Sequence, residues 1–82
     1  MKNKDTVIRE TIRLNIIAKR KELNLTQTEL ASKVGLKKNS IASWEQGYST
    51  PDIDTIVILL KLFDMDFYEF TGIDKEQSSL MP

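Results

Sequence analysis

The sequence predicts an all-α domain, and three features of its 82 residues indicate this class. Apolar residues recur at spacings of three and four, the period of an amphipathic helix, whereas the alternating runs typical of strands are missing. Glycine and proline are sparse, at 3 and 2 residues, so few positions interrupt a helix. The apolar content of 40% is ordinary for a folded protein, and the length fits one small domain.

Two helices are predicted in the first part of the chain. The first runs from about residue 6 or 8 to residue 22. Its inward face is expected to contain, at helical spacing, Ile12, Ile16, Arg20 and Leu23. The second spans about 27 to 33, because Thr26 and Glu29 fit the capping box that satisfies amide groups at a helix start. Gly35 then supplies the left-handed backbone that a tight turn needs.

The segment GLKKNSIASWEQG, residues 35–47, predicts a third helix from residue 37 to 46 with two different faces. At about 100° per residue, Ile41 and Trp44 fall on one side and are expected to anchor the helix in the core. The opposite side carries uncharged hydrogen-bonding side chains, namely Asn39, Ser43 and Gln46. A face that serves only solubility is expected to use Glu, Lys and Arg. This face is instead suited to contact base edges in the major groove.

Two lysines, Lys37 and Lys38, stand at the start of the third helix. A cation there opposes the helix dipole and costs about 0.3 to 1 kcal/mol at an exposed site. A nearby DNA phosphate turns both side chains into favourable contacts, and local stability rules are often broken at functional sites. The alternative is that Asn39 caps a shorter helix and that both lysines precede it.

Two further helices are predicted after a loop. Pro51 fits the first turn of the fourth helix or the position just before it. The candidates for its cap are Ser49, Thr50 and Asp52. This helix contains IDTIVILLKLF, so rich in Ile, Leu and Val that neighbours are expected to cover most of its circumference. A short fifth helix, DFYEF, follows with Asp66 as its cap, and residues 73–82 are interpreted as a tail, either flexible or used for docking.

The composition excludes several kinds of chemistry. Cysteine and histidine are absent, which excludes disulfides, thiolate metal sites and Ser/His or Cys/His catalysis. The carboxylates and lysines are scattered without a pocket pattern, so we expect neither an enzyme nor a bound metal or cofactor. No run of about 18 apolar residues and no apolar signal core is present, which predicts a cytoplasmic protein without membrane contact.

Charge is divided unevenly along a chain whose formal net charge is zero. Residues 1–44 contain ten Lys/Arg and four Asp/Glu, a net charge of +6, and residues 45–82 contain two and eight, a net charge of −6. Such a division gives a small protein one face suited to phosphates. The alternative is chance scatter of surface charge.

Two short helices joined by a glycine-containing turn are typical of the helix-turn-helix unit. The motifs RKELNLTQTELA, the Val34-Gly35 turn, SIASWEQG and PDIDTI occur together between residues 12 and 72. At this spacing they resemble the XRE family, to which the Cro and CI-type helix-turn-helix domains of phage repressors belong. The resemblance implies a five-helix, lambda-repressor-like DNA-binding domain at residues 9–72, with an N-terminal arm or helix extension at residues 1–8 before it.

The resemblance also implies roles for individual residues. Those expected to read bases are Lys38, Asn39 and Ser43. Those expected to contact the DNA backbone are Gln27, Lys37, Ser40, Tyr48 and Ser49. Arg20 and Glu45 match an ion pair that ties the first helix to the third, rather than two independent surface charges. The chain departs from the family at Lys37, where Ser or Thr is common, and in the loop after Gly47, which lacks basic residues.

Together these features predict a sequence-specific, double-stranded DNA-binding transcription regulator. The expected form is a repressor that binds an inverted-repeat operator as a homodimer. The alternative is a protein-interaction module, for example an antitoxin-type partner, that retains the fold with weak or no DNA binding. The zero net charge and the acidic second half favour this alternative.

Overall fold

The computed structural model describes residues 4–74, with side chains from Thr6 onward. Within this range the chain forms five α-helices and no strand, so the prediction of an all-α fold is confirmed. The helices are α1 (Lys4–Glu22), α2 (Gln27–Lys33), α3 (Lys38–Gln46), α4 (Ile53–Phe63) and α5 (Phe67–Thr71). Most of the predicted tail, residues 73–82, lies outside the described residues. None of the described helices is long and apolar enough to cross a membrane.

Helix α1 ends at Glu22 as predicted, but its start and its inward face differ from the prediction. It begins at Lys4, earlier than expected, so residues 4–8 are helical. Ile12 and Ile16 are buried as expected, but Leu23 is 44% exposed. Leu23 follows the last helical residue, and the left-handed backbone of Asn24, with a φ of 59°, turns the chain away from the helix axis. The predicted inward face therefore ends before Leu23.

The start of α2 is fixed by hydrogen bonds between neighbouring residues, as predicted. The Thr26 hydroxyl accepts from the Glu29 amide at 3.0 Å, and the Glu29 carboxylate accepts from the Thr26 amide at 2.8 Å. This capping box satisfies two amide groups that no helical carbonyl can reach. After α2, Gly35 adopts a φ of 74°, the left-handed conformation that directs the chain into α3.

The hydrophobic core draws residues from all five helices. Its fully buried members include, one from each helix, Ile16, Leu30, Ile41, Leu59 and Phe70. The expectation that neighbours cover most of the circumference of α4 is wrong for the part of the chain that the structure describes. Three of its apolar residues are 64%, 45% and 43% exposed, namely Ile53, Val57 and Ile58. Among the described residues, the core packs against the side of α4 that carries Ile56, Leu59 and Phe63.

The last two helices start at acidic caps. The Asp52 carboxylate accepts from the Thr55 amide at 2.9 Å, so Asp52 is the cap of α4 and Pro51 precedes it rather than entering the first turn. The Asp66 carboxylate accepts from the Glu69 amide at 2.8 Å at the start of α5. Both bonds satisfy orphan amide groups, and both carboxylates lie at the positive end of a helix dipole.

Candidate nucleic-acid interface

Helices α2 and α3 pack against each other as a helix-turn-helix unit, in which α3 has one buried side and one exposed side. Ile41 is completely buried and Trp44 is 5% exposed, so both side chains lie in the core. The exposed side contains Lys38, Asn39 and Gln46. The buried pair therefore holds α3 against the domain, while the amide groups of this outer side face solvent.

The N-terminus of α3 lacks a side-chain cap. Lys37 occupies the cap position with extended backbone and forms no capping hydrogen bond. The alternative in which Asn39 is the cap is therefore wrong, because Lys38 is already the first helical residue. The first turn contains no acidic residue, so two exposed cations lie beside amide groups that have no helical acceptor. An anion is the partner that satisfies both the amides and the lysines.

The loop after α3 lies beside the outer side of the helix. The hydroxyl oxygens of Ser43 and Ser49 are 2.7 Å apart and share a hydrogen bond. This contact brings a predicted base-reading residue together with a predicted backbone-contacting residue. Each hydroxyl can still form a further hydrogen bond, because a hydroxyl has one donor and two acceptor positions. Tyr48 is 80% exposed beside them, and Ser40 is half-buried.

Arg20, Gln27 and Glu45 form one hydrogen-bonded group that ties α1, α2 and α3 together. Arg20 Nε and Nη2 donate to the two carboxylate oxygens of Glu45 at 2.6 and 3.0 Å. Gln27 Nε2 donates to the same carboxylate at 3.1 Å. The side chains of Arg20 and Glu45 are only 13% and 9% exposed. Gln27, a predicted DNA-backbone contact, thus uses one amide hydrogen inside the protein and retains its other hydrogen and its oxygen.

The same contacts keep both members of the ion pair charged. Burial acts to raise the pKa of the Glu45 carboxyl, but the hydrogen bonds from Arg20 and Gln27 outweigh it, so this pKa lies below its usual value. The hydrogen bond with Glu45 raises the pKa of Arg20. The bidentate geometry also fixes the orientation of the two side chains, which sets α3 at a defined position against α1.

Arg13 contacts the same region and was missed by the sequence analysis. Its Nη1 donates to the backbone carbonyl of Glu45 at 3.1 Å, at the C-terminal end of α3. Its Nε and Nη2 donate to the Glu10 carboxylate at 3.0 and 2.5 Å. A cation is favourable there because α3 has no basic residue in its last turn. The spacing of Glu10 and Arg13 signalled a pair within α1, but not a contact with α3.

The fold and the outer side of α3 together define a class of protein. This class is the helix-turn-helix domain, here with amide groups and lysines exposed on α3. The sequence profile described as helix-turn-helix matches residues 16–70. The chain belongs to this family, in its XRE branch, and the resemblance found in the sequence is confirmed. The match begins within α1, so the N-terminal half of that helix, including Arg13, lies outside it.

Three curated proteins are similar to the chain. Antitoxin PezA of Streptococcus pneumoniae serotype 4 is 36% identical over 61 residues, which are 74% of this chain and 39% of that protein. The uncharacterized HTH-type transcriptional regulator YobD of Bacillus subtilis is 35% identical over 54 residues, 66% of this chain and 48% of that protein. The HTH-type transcriptional regulator AnsR of Bacillus subtilis is 31% identical over 67 residues, 82% of this chain and 56% of that protein.

The chain therefore matches less than two thirds of the length of each of these relatives. No solved structure matches the chain.

Proposed function

We propose that this chain is a sequence-specific, double-stranded DNA-binding transcription regulator that reads the major groove with α3. The observation that carries the proposal is the combination, on one helix, of outward amide groups and an uncapped N-terminus with two exposed lysines. The two relatives named HTH-type transcriptional regulators support the same class. The proposal is for a binding protein that acts in the cytoplasm and has no catalytic role.

The outer side of α3 suits the major groove chemically. The Asn39 amide can donate to and accept from the edge of an adenine, and the Lys38 ammonium can donate to guanine O6 and N7 or to a phosphate. The Ser43 hydroxyl can accept or donate and is therefore permissive. Backbone contacts in this proposal come from Gln27, Lys37, Ser40, Tyr48 and Ser49. Specificity thus rests on few base contacts.

We further propose that the protein acts as a homodimeric repressor. Two copies of α3 then enter successive major grooves on half-sites about 10 base pairs apart, so the operator is an inverted repeat. In this proposal the bound dimer represses by occupying DNA that the transcription machinery needs.

Selection of bound duplexes from a random pool tests the proposal directly. The expected result is an enriched inverted repeat whose half-sites are about 10 base pairs apart. Fluorescence anisotropy on the recovered duplex and on a scrambled one, at low and moderate salt, then gives the specificity ratio. Failure to enrich any sequence, with no binding at about 10 μM protein and low salt, contradicts the proposal, because even non-specific binding is expected there.

Asn39→Ala is expected to weaken binding to the recovered operator by about 1 to 3 kcal/mol and to relax discrimination at one base pair per half-site. Asn39 is exposed, so the thermal midpoint should stay close to that of the wild type. The measurement is an anisotropy titration on the operator and on its single-base variants. Equal losses on operator and scrambled DNA contradict the base-reading role.

Lys37→Ser is expected to change stability and DNA affinity in opposite directions. A serine at the cap position accepts from an amide of the first turn, which raises the free energy of unfolding by about 0.5 to 2 kcal/mol. Loss of one phosphate contact lowers affinity about eightfold in ~0.1 M salt on every duplex, and reduces the salt slope by about 0.9. Urea denaturation and salt-dependent titrations measure the two effects. Unchanged affinity excludes the phosphate contact.

A protein-interaction module is the second candidate function. The similarity to an antitoxin supports it, and so does the exposed apolar surface of α4 at Ile53, Val57 and Ile58. The replacement Val57→Lys distinguishes the two, because it places a charge in this surface without altering α3. Under the leading proposal, a single half-site duplex binds this variant as tightly as the wild type. If the chain is instead an interaction module that lacks DNA binding, neither the wild type nor Val57→Lys binds the half-site duplex.

A further inference from the structure

A cleft of about 250 Å³ separates the N-terminal half of α1 from the loop that follows α3. On the α1 side its polar lining includes Arg9, Arg13 and the Glu10 carboxylate that pairs with Arg13, and on the loop side Tyr48, Ser49 and Thr50. The three loop side chains carry hydroxyl groups and the two arginines carry guanidinium groups, while the one carboxylate is bonded to Arg13. Donors therefore line both walls, which is the chemistry of an anion site.

The two arginines of the cleft differ in their hydrogen-bond and ion-pair partners. Arg13 is occupied by the Glu10 carboxylate and by the Glu45 carbonyl. Arg9 is exposed, and no ion pair of Arg9 occurs within the part of the chain that the structure describes. Because Glu10 and Arg13 balance each other, Arg9 supplies the net positive charge of the cleft.

The position of the cleft links it to the recognition surface. Ser49 lines the cleft and also shares a hydrogen bond of 2.7 Å with Ser43 on α3. Gly47 lies over the stem of Arg13, since a Cβ added to Gly47 would be 3.6 Å from Arg13 Cδ. The cleft therefore lies next to the C-terminal end of α3, at the edge of the proposed recognition surface.

We propose that this cleft receives a phosphate of the DNA backbone that flanks the bases read by α3, and that Arg9 is its cationic ligand. The hydroxyl groups of Ser49 and Thr50 donate to the same phosphate from the opposite wall. This inference rests on the proposed function and adds a DNA contact from α1, outside the matched family region.

Electrostatics explains why α1 rather than the loop supplies the charge. Residues 47–51 contain no Lys or Arg, so the loop has no cation of its own. The C-terminal end of α3 also carries the negative end of the helix dipole, which repels a phosphate. Arg13 offsets this end through the Glu45 carbonyl and acts as a positioning residue, which leaves the phosphate to Arg9.

Arg9→Gln tests the inference, with Lys61→Gln as a control of equal charge change. Lys61 is exposed in the last turn of α4, away from the cleft. On both the selected operator and a scrambled duplex, Arg9→Gln is expected to lose about eightfold affinity in ~0.1 M salt and about 0.9 of the salt slope. Lys61→Gln is expected to keep wild-type values. Equal behaviour of the two variants overturns the inference and leaves the proposed function intact.

A scan with neutral methylphosphonates identifies the phosphate itself. Wild-type protein should lose about eightfold affinity when the contacted phosphate is replaced. Arg9→Gln should lose nothing further at that position, yet respond normally at the phosphate near Lys37. If Arg9→Gln is as sensitive as the wild type at every position, the cleft binds at most a free anion and the inference fails. If the wild type binds no duplex, the proposed function fails first and this inference with it.

Discussion

Arg20→Met is expected to lower the free energy of unfolding by about 3 kcal/mol, the lower end of the range for breaking a buried ion pair. The substitution keeps much of the side-chain volume but leaves the Glu45 carboxylate, which is only 9% exposed, without its bidentate partner. Gln27 alone then satisfies that carboxylate. Urea denaturation measures the effect, with fluorescence of the single tryptophan, Trp44, as the probe.

Lys19→Met is the matched control, because it removes a cation from the same helix. Lys19 pairs with Glu22 at 3.2 Å, but those side chains are 30% and 65% exposed. Exposed pairs contribute between about 0 and 1 kcal/mol, so this variant should be close to the wild type. Equal losses in the two variants mean that the Arg20–Glu45 pair does not hold α1 and α3 together.

The same pair predicts a dependence of stability on pH. The pKa of Glu45 is depressed below its usual value of 4.5 in the folded state, so its contribution is complete above pH 4.5. It is lost as the pH falls below 4.5 through the folded pKa, because the unfolded state then binds the proton first. The stability difference between wild type and Arg20→Met should therefore shrink below pH 4.5. A difference that stays constant excludes the ion pair as its source.

Features of the fold that depend on neighbouring residues were predictable from the sequence. The capping box of Thr26 and Glu29 and the turn at Gly35 act over three residues or fewer, so their residue types specify the geometry directly. Coverage of α4 was not predictable. Its apolar composition records a preference for burial, but only the packed structure shows that Ile53, Val57 and Ile58 stay exposed among the residues that it describes.

The candidate site also has features that were predictable from the sequence and features that were not. The two faces of α3 followed from helical periodicity, since Ile41 and Trp44 recur at a spacing of three. The contact of Arg13 with the Glu45 carbonyl joins residues 32 positions apart and uses a backbone acceptor, which every residue possesses. A backbone acceptor leaves no pattern in the residue types. The cleft beside α1 was not predictable either, because its two walls come from segments that are far apart in the sequence.

The buried contacts explain how α3, although short, can hold its few outer side chains in a defined position. With 9 residues, α3 is too short to be stable alone, and its N-terminus has no side-chain cap. Its position is set from the inside by Ile41 and Trp44, and at its C-terminal half by Arg20 and Arg13 from α1. The outer residues are then free to be chosen for binding rather than for helix stability.

Trp44→Ala is expected to lower the free energy of unfolding by about 3 to 5 kcal/mol, because it empties a buried volume beneath α3. Trp44 is 5% exposed and belongs to the main core. From a total stability of about 5 kcal/mol, the lower end of the range for natural domains, such a loss leaves a measurable unfolded fraction. Circular dichroism during urea denaturation measures it, and affinity for the operator should fall in proportion to the folded fraction.

Tyr48→Ala is the matched control, because it removes an aromatic ring that is 80% exposed just beyond the same helix. Its effect on stability should be within about 0.5 kcal/mol, as for other exposed positions. Its effect on DNA binding should be a modest loss on every duplex, as expected for a backbone contact. For each variant, the change in the free energy of unfolding is therefore compared with the change in DNA affinity. If Trp44→Ala folds as stably as the wild type but no longer binds DNA, the tryptophan contacts bases and does not anchor α3.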